Sequence, residues 1–157
     1  MAALSANRPT DKSGDKTLQQ RVQIPIADNV HIYQGAQVQI NAAGYATPAG
    51  TATQADSHTF LALGRAFEEY DNTVTGHAQG ALTCEIEQGC FLWDILASDP
   101  VAQANVGATV YAEDDHTIRA TSNGTTRASA GRLLALVSVS EYSPALQALV
   151  QTVVGVP

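Results

Sequence analysis

The chain has 157 residues, 45% of them hydrophobic and only 15% charged, with a formal net charge of -7. That length suits one domain with a true core, and the low charged fraction leaves Thr, Ser, Asn and Gln to carry much of the polar surface. The charge is segregated: residues 1–21 hold four basic and two acidic residues, a net +2, while residues 22–157 hold four arginines against thirteen acids, a net -9, and no lysine. Such a body disfavours nucleic acid, whose binding needs clustered Lys and Arg to displace counterions. No apolar run reaches the roughly 18 residues of a membrane span and the N-terminus lacks the apolar stretch of a secretory signal, so we expect synthesis in the cytoplasm and no membrane partner.

Residues 1–20 are dominated by Ser, Asn, Pro, Thr, Asp, Lys, Gly and Gln without apolar period, which predicts an N-terminal arm rather than part of a core. From Arg21 the pattern alternates, with Val22, Ile24 and Ile26 on one face, and Pro25 places this strand at a sheet edge. Val30 to Tyr33 is a second short run. After Gly35, Ala36, Val38 and Ile40 alternate with Gln37 and Gln39, so the two glutamines are expected on a wetted face. Residues 47–58 are small and polar and read as a loop. Thr59 to Tyr70 reads as a long strand or strand pair, with a bulge or close backbone approach at Gly64.

Ala81 to Trp93 is a further β-run in which Leu82, Cys84 and Ile86 oppose Thr83, Glu85 and Glu87 until Gly89 breaks the register. Cys84 and Cys90 flank this break and could approach across a hairpin. Their geometry is open at this level, and because cytosolic thiols usually stay reduced we expect packed thiols. Ser98-Asp99-Pro100 is a helix-start signal that predicts one or two helical turns over residues 100–105. Val110 to Ala112 and Thr117 to Thr121 are short strands joined by the acidic turn Glu113-Asp114-Asp115-His116. Arg132 to Ser140 is the clearest strand, with Leu133, Ala135, Val137 and Val139 on one side. Beyond Ser143-Pro144 the spacing of Leu146, Leu149, Val150 and Val153 fits a short amphipathic helix, although the β-branched residues also allow a strand.

One motif is written twice. Gly35-Ala36-Gln37-Val38 precedes Leu63-Gly64-Arg65-Ala66, and Gly107-Ala108-Thr109-Val110 precedes Ala130-Gly131-Arg132-Leu133, with turn-rich sequence inside each copy. A duplicated β-unit follows. With no long helical crossovers, the fold class expected is mainly β: a small β-barrel or β-sandwich over residues 21–157, an extended arm over residues 1–20, and one or two short helices.

Four stretches carry a family likeness: Leu63-Gly64-Arg65-Ala66 after a polar loop; Glu85 to Phe91, a strand, a glycine and an aromatic; Asn105 to Tyr111 leading into the acidic turn; and Ala130-Gly131-Arg132 entering the last strand. In order and spacing the chain resembles the head decoration, or capsid cement, proteins of tailed bacteriophages. The resemblance implies a compact β-domain, often trimeric, that binds the major capsid protein on the outside of the expanded shell and resists the pressure of packaged DNA. It implies neither an active site nor a cofactor. The chain departs from that pattern in its arm and in a longer segment after Ser140.

The remaining constellations favour structure over chemistry. Asp114-Asp115-His116 has metal-ligand residue types, but neighbours on a strand point to opposite faces and Asp is favoured in turns, so we expect a turn and no metal site. Cys84 lies on an apolar face and no hydrolase signature surrounds either thiol, so no enzymatic role is expected. Arg8, Lys12, Lys16 and Arg21 are the candidate capsid contacts of the arm. Arg65 and Arg132 occupy equivalent motif positions and are candidates for ion pairs, within or between subunits, with Glu68, Glu69, Glu85 or Glu87; those acids otherwise read as solvated strand faces. The competing expectation is a carbohydrate- or receptor-binding β-module of a fibre or adhesin, which would present aromatic residues on exposed loops.

Overall fold

A computed structural model describes residues 5–7, 21–50, 62–122, 127–138 and 146–152. The described chain is mainly β. Its strands in chain order are β1 (Arg21–Pro25), β2 (His31–Ile32), β3 (Gln37–Ile40), β4 (Ala46–Pro48), β5 (Ala62–Ala66), β6 (Tyr70–Asp71), β7 (Thr83–Glu87), β8 (Gly89–Ile95), β9 (Thr109–Ala112), β10 (Thr117–Arg119), β11 (Ser129–Ser138) and β12 (Leu146–Thr152).

Two five-stranded units are built the same way. The second is a closed barrel of order β10-β8-β12-β11-β9, and the first is a sheet of order β1-β7-β5-β3-β4. The ends of the first sheet are brought together by a parallel bridge between Ile26 and Ala46, just as Ile95 pairs in parallel with Ile118 in the second unit. Strand by strand, β1, β3, β4, β5 and β7 correspond to β8, β9, β10, β11 and β12. The small β2–β6 pair belongs to the first unit alone.

The written repeat sets this correspondence residue by residue. In the first unit Gln37 stands opposite Arg65 and Val38 opposite Gly64; in the second Thr109 stands opposite Arg132 and Val110 opposite Gly131. Both copies enter through a turn closed by a backbone bond, Ala36 N–H to Tyr33 O at 3.0 Å and Ala108 N–H to Asn105 O at 2.9 Å. Gly35 and Gly107 adopt φ of 84° and 86° at the third position of these turns, the left-handed geometry of a type II turn that glycine accepts without steric cost.

The second glycine of each copy has another role. At Gly64 a Cβ would sit 2.1 Å from Glu87 O, and at Gly131 a Cβ would sit 2.2 Å from Gln151 O. Each lets the bulged strand lie against the backbone of the next, β7 or β12, and so turn the corner that closes the unit.

Each unit has its own core. Ile26, Ile32, Ala36, Val38, Ala46, Leu63, Ala66, Cys84 and Ile86 fill the first. Phe91, Trp93, Val110, Ala112, Ile118, Leu133, Ala148 and Val150 fill the second, where Phe91 and Trp93 meet edge to face with centroids 6.0 Å apart. Fully burying a Phe side chain is worth about 3 kcal/mol of transfer free energy, and the larger indole more, so these two rings are principal contributors to that core.

The units pack together. Ala49 of the first reaches into the core of the second, Gln37 N–H donates to Asp115 O at 2.6 Å, and β5 lies against β11 and β12. The chain crosses between them at Gln88, which is buried.

The structure corrects several expectations. Gln37 and Gln39 are buried, at 0% and 1% exposure, because the outward face of β3 is covered within the seam rather than wetted. Cys84 and Cys90 do not face each other across a hairpin: β7 pairs with β1 and β5, β8 with β10 and β12, and both thiols are unbridged. Residues 146–152 form strand β12 rather than a helix; Ala148, Val150 and Thr152 point inward at strand period and the strand completes the barrel of the second unit. In β11 a bulge between Leu133 and Ala135 breaks the expected alternation, so Leu133 and Leu136 both reach the core.

The helix expected over residues 100–105 shrinks to one 3-10 turn at Gln103–Asn105. Thr59, Phe60 and Leu61, at the start of the long strand expected from Thr59, lie outside the described residues, as do Val139 and Ser140 at the end of the strand from Arg132.

Candidate functional site

Of the candidate arm contacts, Arg8, Lys12 and Lys16 lie outside the described residues. Arg21 opens β1, and its guanidinium is held by the body: Nη1 donates to Glu85 Oε1 at 2.7 Å, Nε lies 3.6 Å from Glu87 Oε1, and the group stacks 3.7 Å from the centroid of Phe67. The sequence did not single out Asn7, which ties the N-terminal segment to the first unit. Its Oδ1 accepts the Gln34 N–H at 3.0 Å and its Nδ2 donates to Glu69 Oε2. Glu69 Oε1 meets His31 Nε2 at 2.8 Å, and His31 stacks on Tyr33 with centroids 4.2 Å apart. Hydrogen bonds from Asn7 and then His31 hold the Glu69 carboxyl below its ordinary range.

Arg65 and Arg132 occupy equivalent backbone positions but different chemistry. Arg65 donates through Nε and Nη2 to Glu87 Oε2, at 3.0 and 2.9 Å, within the same chain. The expectation of a solvated Glu87 is therefore corrected: its side chain is 5% exposed, and the charge is tolerated because Arg65 and Arg21 both face it. Opposite Arg132 stands Gln151, and Arg132 is exposed, with no ion pair among the described residues.

The acidic turn is a folded structural element. Asp114 Oδ1 accepts the His116 and Thr117 N–H groups at 3.1 and 2.8 Å, the side-chain bonding that favours Asp in turns. His116 Nδ1 lies 3.1 Å from Asp115 Oδ1 and 3.2 Å from Asp114 Oδ1, so the three side chains converge. Glu113 receives Arg119 at 2.8 Å and Arg127 at 3.1 Å. Asp99, read from sequence as a helix cap, instead accepts Arg119 Nε at 2.9 Å and the Thr121 hydroxyl at 2.6 Å, which ties the loop after β8 to the end of β10.

Cys84 is completely buried, and desolvation first, then the neighbouring Glu85, pushes its thiol up to about 12. A thiol so placed is neutral and unreactive at physiological pH. His31 and His116 are both engaged with carboxylates, His58 lies outside the described residues, and His77 is exposed. Among the described residues the ion pairs of Glu113 with Arg119 and Arg127, and of Asp99 with Arg119, tie loops to strands. Compared with models of known families, with curated proteins and with solved structures, the chain shows no match.

Proposed function

We propose that this chain is a virion structural protein that binds the outer surface of a phage capsid and stabilises the expanded head against the pressure of its DNA. One observation carries the reading: of the motifs behind the resemblance to decoration proteins, Leu63-Gly64-Arg65-Ala66 and Ala130-Gly131-Arg132 fall at structurally equivalent places, and the Gly107 turn of a third is matched by Gly35 of the duplicated motif. Gly35 and Gly107 make the entry turns, and Gly64 and Gly131 make the close strand crossings. They therefore act as fold-determining positions of a doubled, stiff β-body, which suits a brace whose work is mechanical.

On this reading the protein is a homo-oligomer, a trimer by the family likeness, and its partner is the major capsid protein. The basic arm, with Arg8, Lys12 and Lys16, assists docking on an acidic shell. Repetition over a symmetric lattice makes weak single contacts sufficient, because neighbouring attachments act together.

The test is to delete residues 1–20 and measure occupancy on expanded heads, alongside survival of heads with and without the protein under heat and osmotic shock. Loss of occupancy and loss of head stability are expected. Equal survival without the protein overturns the reading, and unchanged occupancy of the truncated chain overturns the role of the arm. A sugar-binding module is less well supported, since Phe91 and Trp93 are buried and Tyr33 stacks on His31.

A further inference from the structure

We propose that the N-terminal segment of one copy seats in the first unit of a second copy, with Asn7 as the plug and the Gln34 N–H and Glu69 carboxylate as the socket. The inference concerns how copies are joined to each other and does not depend on the capsid reading. Three observations carry it.

The socket is specific and accessible. A carboxamide satisfies it at both ends, accepting from a backbone N–H and donating to a carboxylate, and Glu69 is 43% exposed. The charges also match: Asn7 is followed by Arg8, Lys12 and Lys16, while Glu68, Glu69 and Asp71 stand exposed beside the socket in a body of net -9. Any copy's arm is therefore attracted to any copy's socket.

The third observation is the length of the tether. Asn7 bonds to Gln34, Gln34 Nε2 donates to Phe67 O at 3.0 Å, and the Phe67 ring carries Arg21, where the body begins. The two ends of the connection thus lie on one small ridge, yet residues 8–20 joining them can extend to about 43–47 Å. A tether so much longer than its gap can span to a second body, and an exchanged arm makes the same contacts as one folded back on its own. At high local concentration exchange then competes with self-insertion.

The test uses full-length chains in a Cys90→Ser background. One preparation carries Ala6→Cys, beside the intact Asn7 plug, and the other carries Gln34→Cys with a mass tag. They are mixed at high concentration, treated with a short bis-maleimide and resolved under denaturing conditions. The expected result is a cross-linked heterodimer severalfold above a control mixture in which Gln103→Cys, exposed on the second unit, replaces Gln34→Cys. Adding Glu69→Gln to the socket copy should reduce it. The proposal is overturned if the mixture gives no more heterodimer than the control, and a single chain carrying both Ala6→Cys and Gln34→Cys then reports where the segment folds back on its own body.

Discussion

Arg65 and Glu87 face each other across β5 and β7 with both guanidinium contacts on one carboxylate oxygen, at 3.0 and 2.9 Å, and the Glu87 side chain is 5% exposed. Removing the arginine leaves that charge short of its nearest partner. Arg65→Met should destabilise the fold by about 3 kcal/mol, the lower end for a broken buried pair because Arg21 remains 3.6 Å away. At the equivalent position Arg132→Met should change stability by under about 0.5 kcal/mol, since the side chain is exposed. Urea unfolding of the two variants measures the difference, and equal effects would contradict the assignment.

Gly64 and Gly131 should be the least replaceable glycines. Alanine at either brings a Cβ within 2.2 Å of a backbone carbonyl oxygen at a φ of 150° or 132°, so the strand crossing must open. We expect a loss of about 3 kcal/mol or more at each. Gly44, at φ 86° with open space around it, should lose only about 1 kcal/mol on the same change, from backbone conformation alone. Thermal melting of the three variants gives the ranking.

Acid should loosen the loop held by Asp99. The Thr121 hydroxyl first, and then the Arg119 guanidinium, hold this carboxyl below its ordinary range. A carboxyl depressed in the folded state takes up its proton more readily when unfolded. Its contribution is therefore complete above about pH 5 and is lost as the pH falls through about 4 and below. Asp99→Asn should flatten this part of the stability profile between about pH 5 and 3, as followed by denaturant midpoints; an unchanged acid slope would count against the assignment.

Cys84 should resist modification until the first unit opens. With its thiol pushed up to about 12 and fully buried, alkylation at pH 8 should fall on Cys90, which is only half-buried. Peptide mapping after a timed iodoacetamide pulse, with and without denaturant, reads this directly. Rapid labelling of Cys84 in the native protein would show that the first core is not closed.

The repeat was legible because glycine carries its own constraint. A left-handed turn at Gly35 or Gly107, and a Cβ-free crossing at Gly64 or Gly131, leave a signature in one dimension that needs no knowledge of the partner strand. What the signature could not give was the count of units. Two copies within one chain read equally well as halves of one sandwich or as two separate units, since the strands' partners are set by contacts distant in sequence.

Asn7 shows the same limit at the candidate site: nothing distinguishes it from the other polar residues of the arm until Gln34 and Glu69 are brought beside it. The segment Leu146–Thr152 was ambiguous for a related reason, because a short apolar run satisfies a helical period and a buried strand, and only the vacancy between β8 and β11 selects the strand.

By itself, then, the chain's order of residues determined its β character, its turns and its two paired-glycine corners, since these rest on local sterics and on alternation within a strand. Tertiary structure alone decided that Gln37 and Gln39 are buried, that Glu87 is a paired interior charge, and that Arg65 and Arg132 differ despite matching positions. The reason is that burial and charge pairing belong to the seam and the neighbouring strand, and a residue's own segment carries no record of what will be folded against it.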